Sequence, residues 1–405
     1  MEIRPTTDQD LDVFLDTVHT AFGRFRDTPD ADGGGVFWAA LEMDRNLLAI
    51  AADGRPVGTA AAYAFELTLP GQILVPAAGV TNVGVLPTHR RQGVLTEMMR
   101  YQLTEFRGRG EFLSVLLASE AVIYRRFGYG PATYSQRLTV PRHRAALDVP
   151  RARGPASAAG SVEVLRRAEC GEILEEVYDR YRRAQPGALA RPHRWWELGA
   201  GQPPIARTPR YVAIHRDAAG VPDGYASYTI GESETLAIDE TIAVDDAAFT
   251  ALARFALGHD LVTEVVFKHF PPGHPLRWQL SDFNAGRVSG EEDWLWVRLL
   301  DIPRALTARG WFTDGELVLD VDDPFLGEHG RYLLTVRDGK ADCGPTGREP
   351  DLSLDVGDLG SIYLGGTMPS TLVRAGHIGA HRPGAAALAD DLFRAERPPH
   401  CVHHF

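Results

Sequence analysis

The sequence predicts an α/β (α+β) fold divided into two or three domains. Three observations support this fold class. The chain has 405 residues, which is more than a single hydrophobic core usually serves. Residues 1–143 alternate between helix-like and strand-like spacings of apolar side chains. Residues 161–293 repeat that order of helices and strands, whereas residues 294–405 follow a different order.

The first domain is predicted over residues 1–143. A helix is expected from Thr7 or Asp8 to Phe22, because a capping residue precedes an amphipathic run. Apolar runs predict strands over residues 46–52 and 56–68. Residues 144–160 are rich in Ala, Pro, Ser and Gly and lack periodicity, so they are expected to form a linker.

Two further domains follow the linker. The second, over residues 161–293, is expected to have helices at 168–184 and 246–258 and strands at 210–214, 224–230 and 234–244. The third, over residues 294–405, is expected to have strands at 294–300, 315–321, 330–336 and 351–356, and helices at 303–309 and 357–364. The third domain mixes helix and sheet without a parallel βα rhythm, which is typical of an α+β domain.

Composition narrows the class of function. The content of 44% hydrophobic and 24% charged residues is ordinary for a globular protein. A formal net charge of −12 argues against a general nucleic-acid binder. The same charge makes a cationic substrate plausible, although an acidic surface most often only keeps a protein in solution.

Cysteine usage and the start of the chain predict a cytoplasmic protein. Cys170, Cys343 and Cys401 are too few and too scattered for a disulfide framework, and no CxxC pair suggests a metal site. The first eight residues lack a signal-peptide pattern. No run of about 20 apolar residues occurs, so no membrane span is expected.

The most informative stretch combines a strand, a basic turn and the start of a helix. β-branched residues are frequent over 80–85, Pro87 ends the run, and helical spacing resumes after Leu95. The first amides of a helix lack internal partners, so the turn formed by Arg91, Gln92, Gly93 and Val94 could hold a diphosphate. Arg90 and Arg91 add positive charge there. The alternative is a surface helix that happens to begin with arginines.

Arg90, Gly93 and Leu95 resemble the acetyl-CoA signature of the GNAT superfamily of N-acetyltransferases, in which an Arg or Gln is followed at fixed spacing by Gly and then by Gly or Ala. Leu at the last position is usual in one branch, the Eis-like (enhanced intracellular survival) aminoglycoside acetyltransferases. Residues 118–132 look like the second hallmark of that branch, and residues 351–366 look like the characteristic segment of a sterol carrier protein domain.

The resemblance implies an acetyl-CoA-dependent enzyme that transfers acetyl directly to an amine, without a metal. It implies tandem GNAT domains, the second degenerate, followed by a sterol-carrier-like domain. The acceptor would be a small-molecule amine, such as an aminoglycoside, or a protein lysine, and the assembly would be a homohexamer. Two rival functions remain open: a non-catalytic acetyl-CoA sensor, and a lipid-binding protein that uses the last domain.

The resemblance also implies roles for individual residues. Backbone amides of Val83 and Val85 would orient the thioester arm, and Ser119 would lie near the cofactor. Tyr124 would be the general acid, because a phenol with a pKa of about 10 stays protonated at neutral pH. Its alternative is a buried aromatic with a structural hydroxyl, which is the role expected of Tyr129.

For the general base, the resemblance implies the terminal carboxylate of Phe405. An α-carboxyl group has a pKa of about 3.5, so it needs desolvation to act as a base. His403 and His404 compete for the role, since histidine titrates near neutral pH. A terminal pair of histidines could also be an exposed polar tail.

Departures from the family pattern concern the acceptor. His404 stands where aminoglycoside-modifying members have an acidic residue, and Leu117 stands where well-known members have a histidine. An acidic loop could still attract cations or could be an ordinary solvated loop; its members are Asp27, Asp30 and Asp32. Three aromatic residues could line a cleft or fill the core: Phe25, Trp38 and Phe65.

Overall fold

The computed structural model describes residues 1–24, 40–148, 160–198, 210–231 and 233–405. The acidic loop and two of the three aromatic residues named above lie outside the described residues, as does most of the predicted linker. Helices and strands are numbered below in chain order.

The strands are β1 Glu2–Pro5, β2 Leu47–Ile50, β3 Pro56–Leu69, β4 Ile73–Val85, β5 Leu113–Leu117, β6 Gly130–Pro131, β7 Tyr134–Pro141, β8 Ser161–Arg166, β9 Tyr211–Arg216, β10 Pro222–Ile230, β11 Thr235–Ala243, β12 Glu264–Phe270, β13 Arg287–Asp293, β14 Leu295–Leu299, β15 Gly315–Asp323, β16 Glu328–Arg337, β17 Lys340–Pro345, β18 Leu352–Asp355 and β19 Gly379–Ala380. The helices are α1 Leu11–Ala21, α2 Val94–Gly108, α3 Ala121–Arg125, α4 Ile173–Ala184, α5 His193–Leu198, α6 Asp246–Leu257, α7 Leu276–Gln279, α8 Ile302–Ala308, α9 Val356–Tyr363, α10 Pro369–Arg374 and α11 Ala385–Phe393.

The first sheet has the strand order β1-β2-β3-β4-β5-β14-β6. Its centre is the long antiparallel pair β3 and β4, and β4 runs parallel to β5. Helix α1 packs against β3 and β4 because one of its faces buries Phe14, Val18 and Ala21. Helix α2 connects the parallel strands β4 and β5, so its start lies beyond the carboxyl end of β4.

The second sheet has the order β13-β7-β12-β11-β10-β9-β8. Its parallel pair, β11 and β12, is joined by α6, just as β4 and β5 are joined by α2. Helix α4 begins one turn later than its apolar pattern predicts. Gly171, with a φ of +53°, separates it from a short 3-10 helix at Arg167–Glu169.

Two strands lie in a different sheet from the one their chain position suggests. β7 precedes the predicted limit at residue 143 but belongs to the second sheet, and β14 follows the predicted limit at residue 293 but belongs to the first. The segment that leads into β7 and the segment that leads into β14 meet at Thr133 and Trp294, where the Trp294 amide donates to the Thr133 carbonyl at 2.9 Å. Apolar patterns encode burial and not the identity of the partner strand, so this exchange had no sequence signal. The domain limits, as units of sequence, stay a prediction.

The third sheet has the order β17-β16-β15-β18-β19. Helix α9 joins this part of the chain to the first sheet and is buried along its whole length. Gly357 and Gly360 allow this contact: a Cβ on Gly360 would lie 2.2 Å from the Val297 carbonyl oxygen of β14. One hydrophobic core therefore runs from the first sheet into the third domain. Among the described residues, no helix is both long enough and apolar enough to cross a membrane.

Candidate active site

The first sheet opens into a fork between β4 and β5. Their parallel pairing covers Ala78 to Val80 on β4, and β4 then continues to Val85 without β5 beside it. A register shift against β3 and a positive φ of 49° at Asn82 bend β4 at this point. Val83 lies in this extension and packs against the cluster that includes Val94 and Met98 of α2.

The turn after β4 leaves a helix start open to a ligand. Arg91 and Gly93 have positive φ angles of 61° and 85°, and Gly93 directly precedes α2. No described side chain caps this helix, and a Cβ on Gly93 would meet nothing within 4 Å. Arg91, Gln92 and Gly93 are exposed, while Val94 is buried and anchors the first turn. The backbone amides here fit an anionic group such as a diphosphate.

Two side chains of the turn hold its shape. The Arg90 guanidinium donates to the carbonyls of Ala21 at 2.8 Å and Val85 at 3.3 Å. The Gln92 amide donates to the Thr88 carbonyl at 3.1 Å. These bonds tie the turn to the end of α1 and to β4, so in this conformation Arg90 fixes the loop while remaining exposed.

Tyr124 lies on α3, which follows the carboxyl end of β5. Its ring packs edge-on against Tyr129 at 6.3 Å, and burial raises the pKa of Tyr124 to about 12. None of the hydrogen bonds recorded among the described residues involves its hydroxyl, so the protonated phenol is available as a donor. Ser119, between β5 and α3, is exposed. Tyr129 has the structural role that was predicted: it is fully buried and shares a 2.7 Å hydrogen bond with Ser114.

Phe405 lies on the first sheet beside the fork. Its ring is 4.9 Å from the ring of Phe65 on β3, and its Cε2 atom would be 3.2 Å from a Cβ on Gly79. Gly79 belongs to the last three β4 residues that pair with β5. A Cβ at this position would clash first with the Phe65 ring, 2.3 Å away, and would also crowd the Phe405 ring, so glycine permits both rings to pack on this part of β4.

Of the two histidines directly before Phe405, His403 is fully buried and His404 is half-buried. The His403 ring lies 5.0 Å from both Phe65 and Trp195, and burial lowers its pKa well below the usual value. Burial also lowers the pKa of His404. Both are therefore neutral at pH 7, and protonating His403 would place a charge in an aromatic environment. The idea of an exposed polar tail is wrong for this segment.

Two tryptophans near the tail had no sequence signal as site residues. Trp195 on α5 contacts His403 and the ring of Tyr63, and the Trp294 indole N–H donates to the His403 carbonyl at 3.0 Å. Trp195 belongs to the second domain, which was predicted to be degenerate, and Trp294 is the first residue after the predicted limit of that domain. Only the tertiary structure brings them beside the first sheet, because Trp294 follows both strands of the fork at a long distance in the chain.

Comparison with known families agrees with this architecture. A family model described as an acetyltransferase (GNAT) domain matches residues 2–132, and a second model of that description matches residues 187–299. A sterol carrier protein domain model matches residues 302–402. The chain thus has two acetyltransferase domains followed by a sterol-carrier-like domain.

Three relatives place the chain more closely. An uncharacterized N-acetyltransferase of Streptomyces avermitilis is 34% identical over 100% of this chain and 99% of its own length. The N-acetyltransferase Eis of Mycobacterium bovis is 34% identical over 86% of both chains. The crystal structure of Eis1 from Mycobacterium abscessus superposes with a TM-score of 0.85 at 34% identity, covering 100% of both chains. These similarities, together with the fork and the open helix start, show that this chain is an N-acetyltransferase of the Eis-like branch of the GNAT superfamily.

Proposed function

We propose that this enzyme uses acetyl-CoA to acetylate an amine of a cationic molecule, such as an aminoglycoside or polyamine, or a lysine side chain. The observation that carries the proposal is the position of Phe405 on Gly79. This position puts the end of the chain beside the fork, and the helix that follows β4 starts with amides that have no side-chain cap.

The residues present fit the proposed donor. Acetyl-CoA would supply an acetyl group activated as a thioester. The amides of Arg91, Gln92, Gly93 and Val94 would bind the diphosphate, and those of Val83 and Val85 would orient the arm along the open edge of β4. Ser119 would contact the arm from the other side of the fork. Arg90 would act by holding the turn.

Tyr124 would donate its phenolic proton to the departing sulfur. Its raised pKa keeps the proton in place at neutral pH, and the buried position strengthens a hydrogen bond to a developing anion.

The Phe405 carboxylate would accept the proton of the attacking amine. Of the competing bases, His403 is disfavoured because its imidazolium would be buried against Phe65 and Trp195. A carboxylate carries its charge before it accepts the proton, so proton transfer from an ammonium group removes two charges from a partly dry site.

A cationic acceptor is supported by the net charge of −12. The lipid-binding alternative gains no support from a cavity of about 370 Å³ between the first sheet and the third domain, because charged side chains including Arg107, Asp323 and Glu328 line it.

We also propose that the protein is cytoplasmic and forms a hexamer. Light scattering of the purified protein would check the number of subunits.

The test is coenzyme A release from acetyl-CoA with a panel of aminoglycosides, polyamines and lysine peptides. Protein that ends at Phe405 is compared with protein extended by two residues, which moves the carboxylate away. We expect turnover with at least one amine and a loss of at least about 100-fold on extension, the usual contribution of acid–base catalysis. Unchanged turnover after extension would move the base to His404 or to water. No turnover with any amine would favour an acetyl-CoA sensor.

A further inference from the structure

The second acetyltransferase domain has a carboxylate where the first domain has its open helix start. Helix α6 follows β11 just as α2 follows β4. The Asp245 carboxylate accepts from the Ala248 amide at 2.8 Å, and Asp246 is the next residue. A diphosphate at this helix start would meet two negative charges and an amide already bonded, so the carboxyl end of the parallel pair β11 and β12 does not suit coenzyme A.

The C-terminal segment, residues 394–405, meets the second domain at the start of α6. A cavity beside α6 is lined by the loop that follows β12 and by residues Glu396, Arg397 and Pro398. The Pro398 ring lies 3.3 Å from the position of a Cβ on Gly273 in that loop. The Gln185 amide donates to the Pro398 carbonyl at 2.9 Å, and Gln185 is buried.

The next residues of the segment are fastened to both domains. The His400 amide donates to the Pro186 carbonyl at 2.9 Å, and in the same loop the Gly187 amide donates to the Thr68 carbonyl of β3 at 2.8 Å. One loop of the second domain therefore sets the segment relative to the first sheet. Val402 then joins a buried cluster of the second domain together with Leu174, Val177 and Tyr178.

The last anchor before the fork is Trp294. It lies at the crossover between β13 of the second sheet and β14 of the first, with its amide bonded to Thr133. Its indole N–H donates to the His403 carbonyl, two residues before Phe405. The exchange of strands thus fixes the position of the group that holds the end of the chain.

We propose that the second acetyltransferase domain serves to hold the C-terminal segment, with Trp294 and Gln185 as positioning residues for Phe405. The effect on turnover rests on the proposed function, whereas the effect on the segment itself does not. Cys401 provides a reporter for the latter, because this thiol is buried and its pKa is raised to about 12 by burial. It reacts with an alkylating agent only when the segment leaves its place.

The experiment measures alkylation of Cys401 by N-ethylmaleimide, located by mass spectrometry, in the full chain and in Trp294→Phe. The variant keeps an aromatic ring and removes the donor. Because it leaves the His403 carbonyl without its partner, we expect alkylation about tenfold faster. Turnover should fall by about tenfold, while the melting-temperature shift caused by acetyl-CoA stays the same.

Two further variants make the result decisive. Gln185→Met removes the donor at the other anchor and should also speed alkylation of Cys401, with no change at Cys343, which is buried in the third domain. Trp278→Phe is the matched control, since Trp278 is 80% exposed and belongs to the same domain. Equal alkylation rates in wild type, Trp294→Phe and Gln185→Met would overturn the proposal. If the wild type acetylates no amine, the proposed function fails, and the alkylation rates still decide whether the segment is held in this way.

Discussion

Burial has opposite consequences for two side chains at the site. It keeps the proton on the Tyr124 phenol, which can then donate, and it keeps the proton off the His403 imidazole. The same physical effect thus supports one predicted role and argues against another. Neither consequence could be read from the sequence, where both residue types are compatible with acid–base chemistry at neutral pH.

Replacing Tyr124 with phenylalanine should lower kcat by about 100-fold to 1,000-fold, because the departing sulfur loses its proton donor. Stability should change little, since within the described part of the chain this hydroxyl has no hydrogen-bond partner to lose. The measurement is steady-state turnover together with thermal unfolding.

Tyr129→Phe is the matched control for that substitution. It removes the buried bond to Ser114 and should cost roughly 1 kcal/mol of unfolding free energy while kcat stays within about twofold. A full kcat in Tyr124→Phe, or an equal loss in both variants, would remove the acid role from Tyr124.

At the scale of elements, the C-terminal segment packs in the interior and brings its own histidines close to histidines of the second domain. His400 and His403 belong to it, and His269 and His274 lie on the strand and loop beside it. Desolvation lowers the pKa of each below the usual value, to about 4 for His269 and His274. All four are neutral in the folded state at pH 7.

Stability should therefore fall as the pH drops from about 6.5 towards 4. The unfolded histidines bind protons below about pH 6.5, whereas the folded ones do not, so each contributes up to about 1.4 kcal/mol of lost stability per pH unit in this window. Thermal unfolding at pH 7.5, 6.5, 5.5 and 4.5 measures this. Paired carboxylates such as Asp10 add their loss only at lower pH, because their pKa is lowered from 3.8.

His403→Phe is the control for the pH effect. Phenylalanine suits the aromatic surroundings of Phe65 and Trp195 and has no proton to gain, so the melting temperature of this variant should depend less steeply on pH. A melting temperature of the wild type that is constant between pH 7.5 and 4.5 would show that these imidazoles are not buried in solution.

At the scale of the whole molecule, three sheets are joined by close backbone contacts and by exchange of strands. β14 of the first sheet has β5 and β6 on its two sides and α9 of the third domain across its face. The C-terminal segment starts after α11 in the third domain, passes the second and ends on the first. Correct placement of Phe405 therefore depends on all three domains.

Gly360→Ala should weaken the packing of the third domain, through α9, against β14 of the first sheet. The added Cβ would lie 2.2 Å from the Val297 oxygen, so helix or strand must shift, at a cost of roughly 2–3 kcal/mol. Turnover should fall with stability because the C-terminal segment starts beyond this contact. Gly344→Ala on β17 is the control, since nothing lies within 4 Å of its Cβ position, and it should leave the melting temperature nearly unchanged. Equal melting temperatures in the two variants would contradict tight docking of α9.

The sequence by itself determined the main helices and strands of each domain, the basic turn before α2, and the candidate roles of Tyr124 and Phe405. These features depend on local spacing, on glycine at a positive φ, or on a motif shared with a family, and all of these are visible in neighbouring residues. The tertiary structure alone decided the exchange of β7 and β14, the place of Trp195 and Trp294 beside the C-terminal segment, and the bonds that occupy Arg90. Those depend on contacts between residues far apart in the chain, and an apolar pattern specifies that a side chain is buried without specifying what buries it.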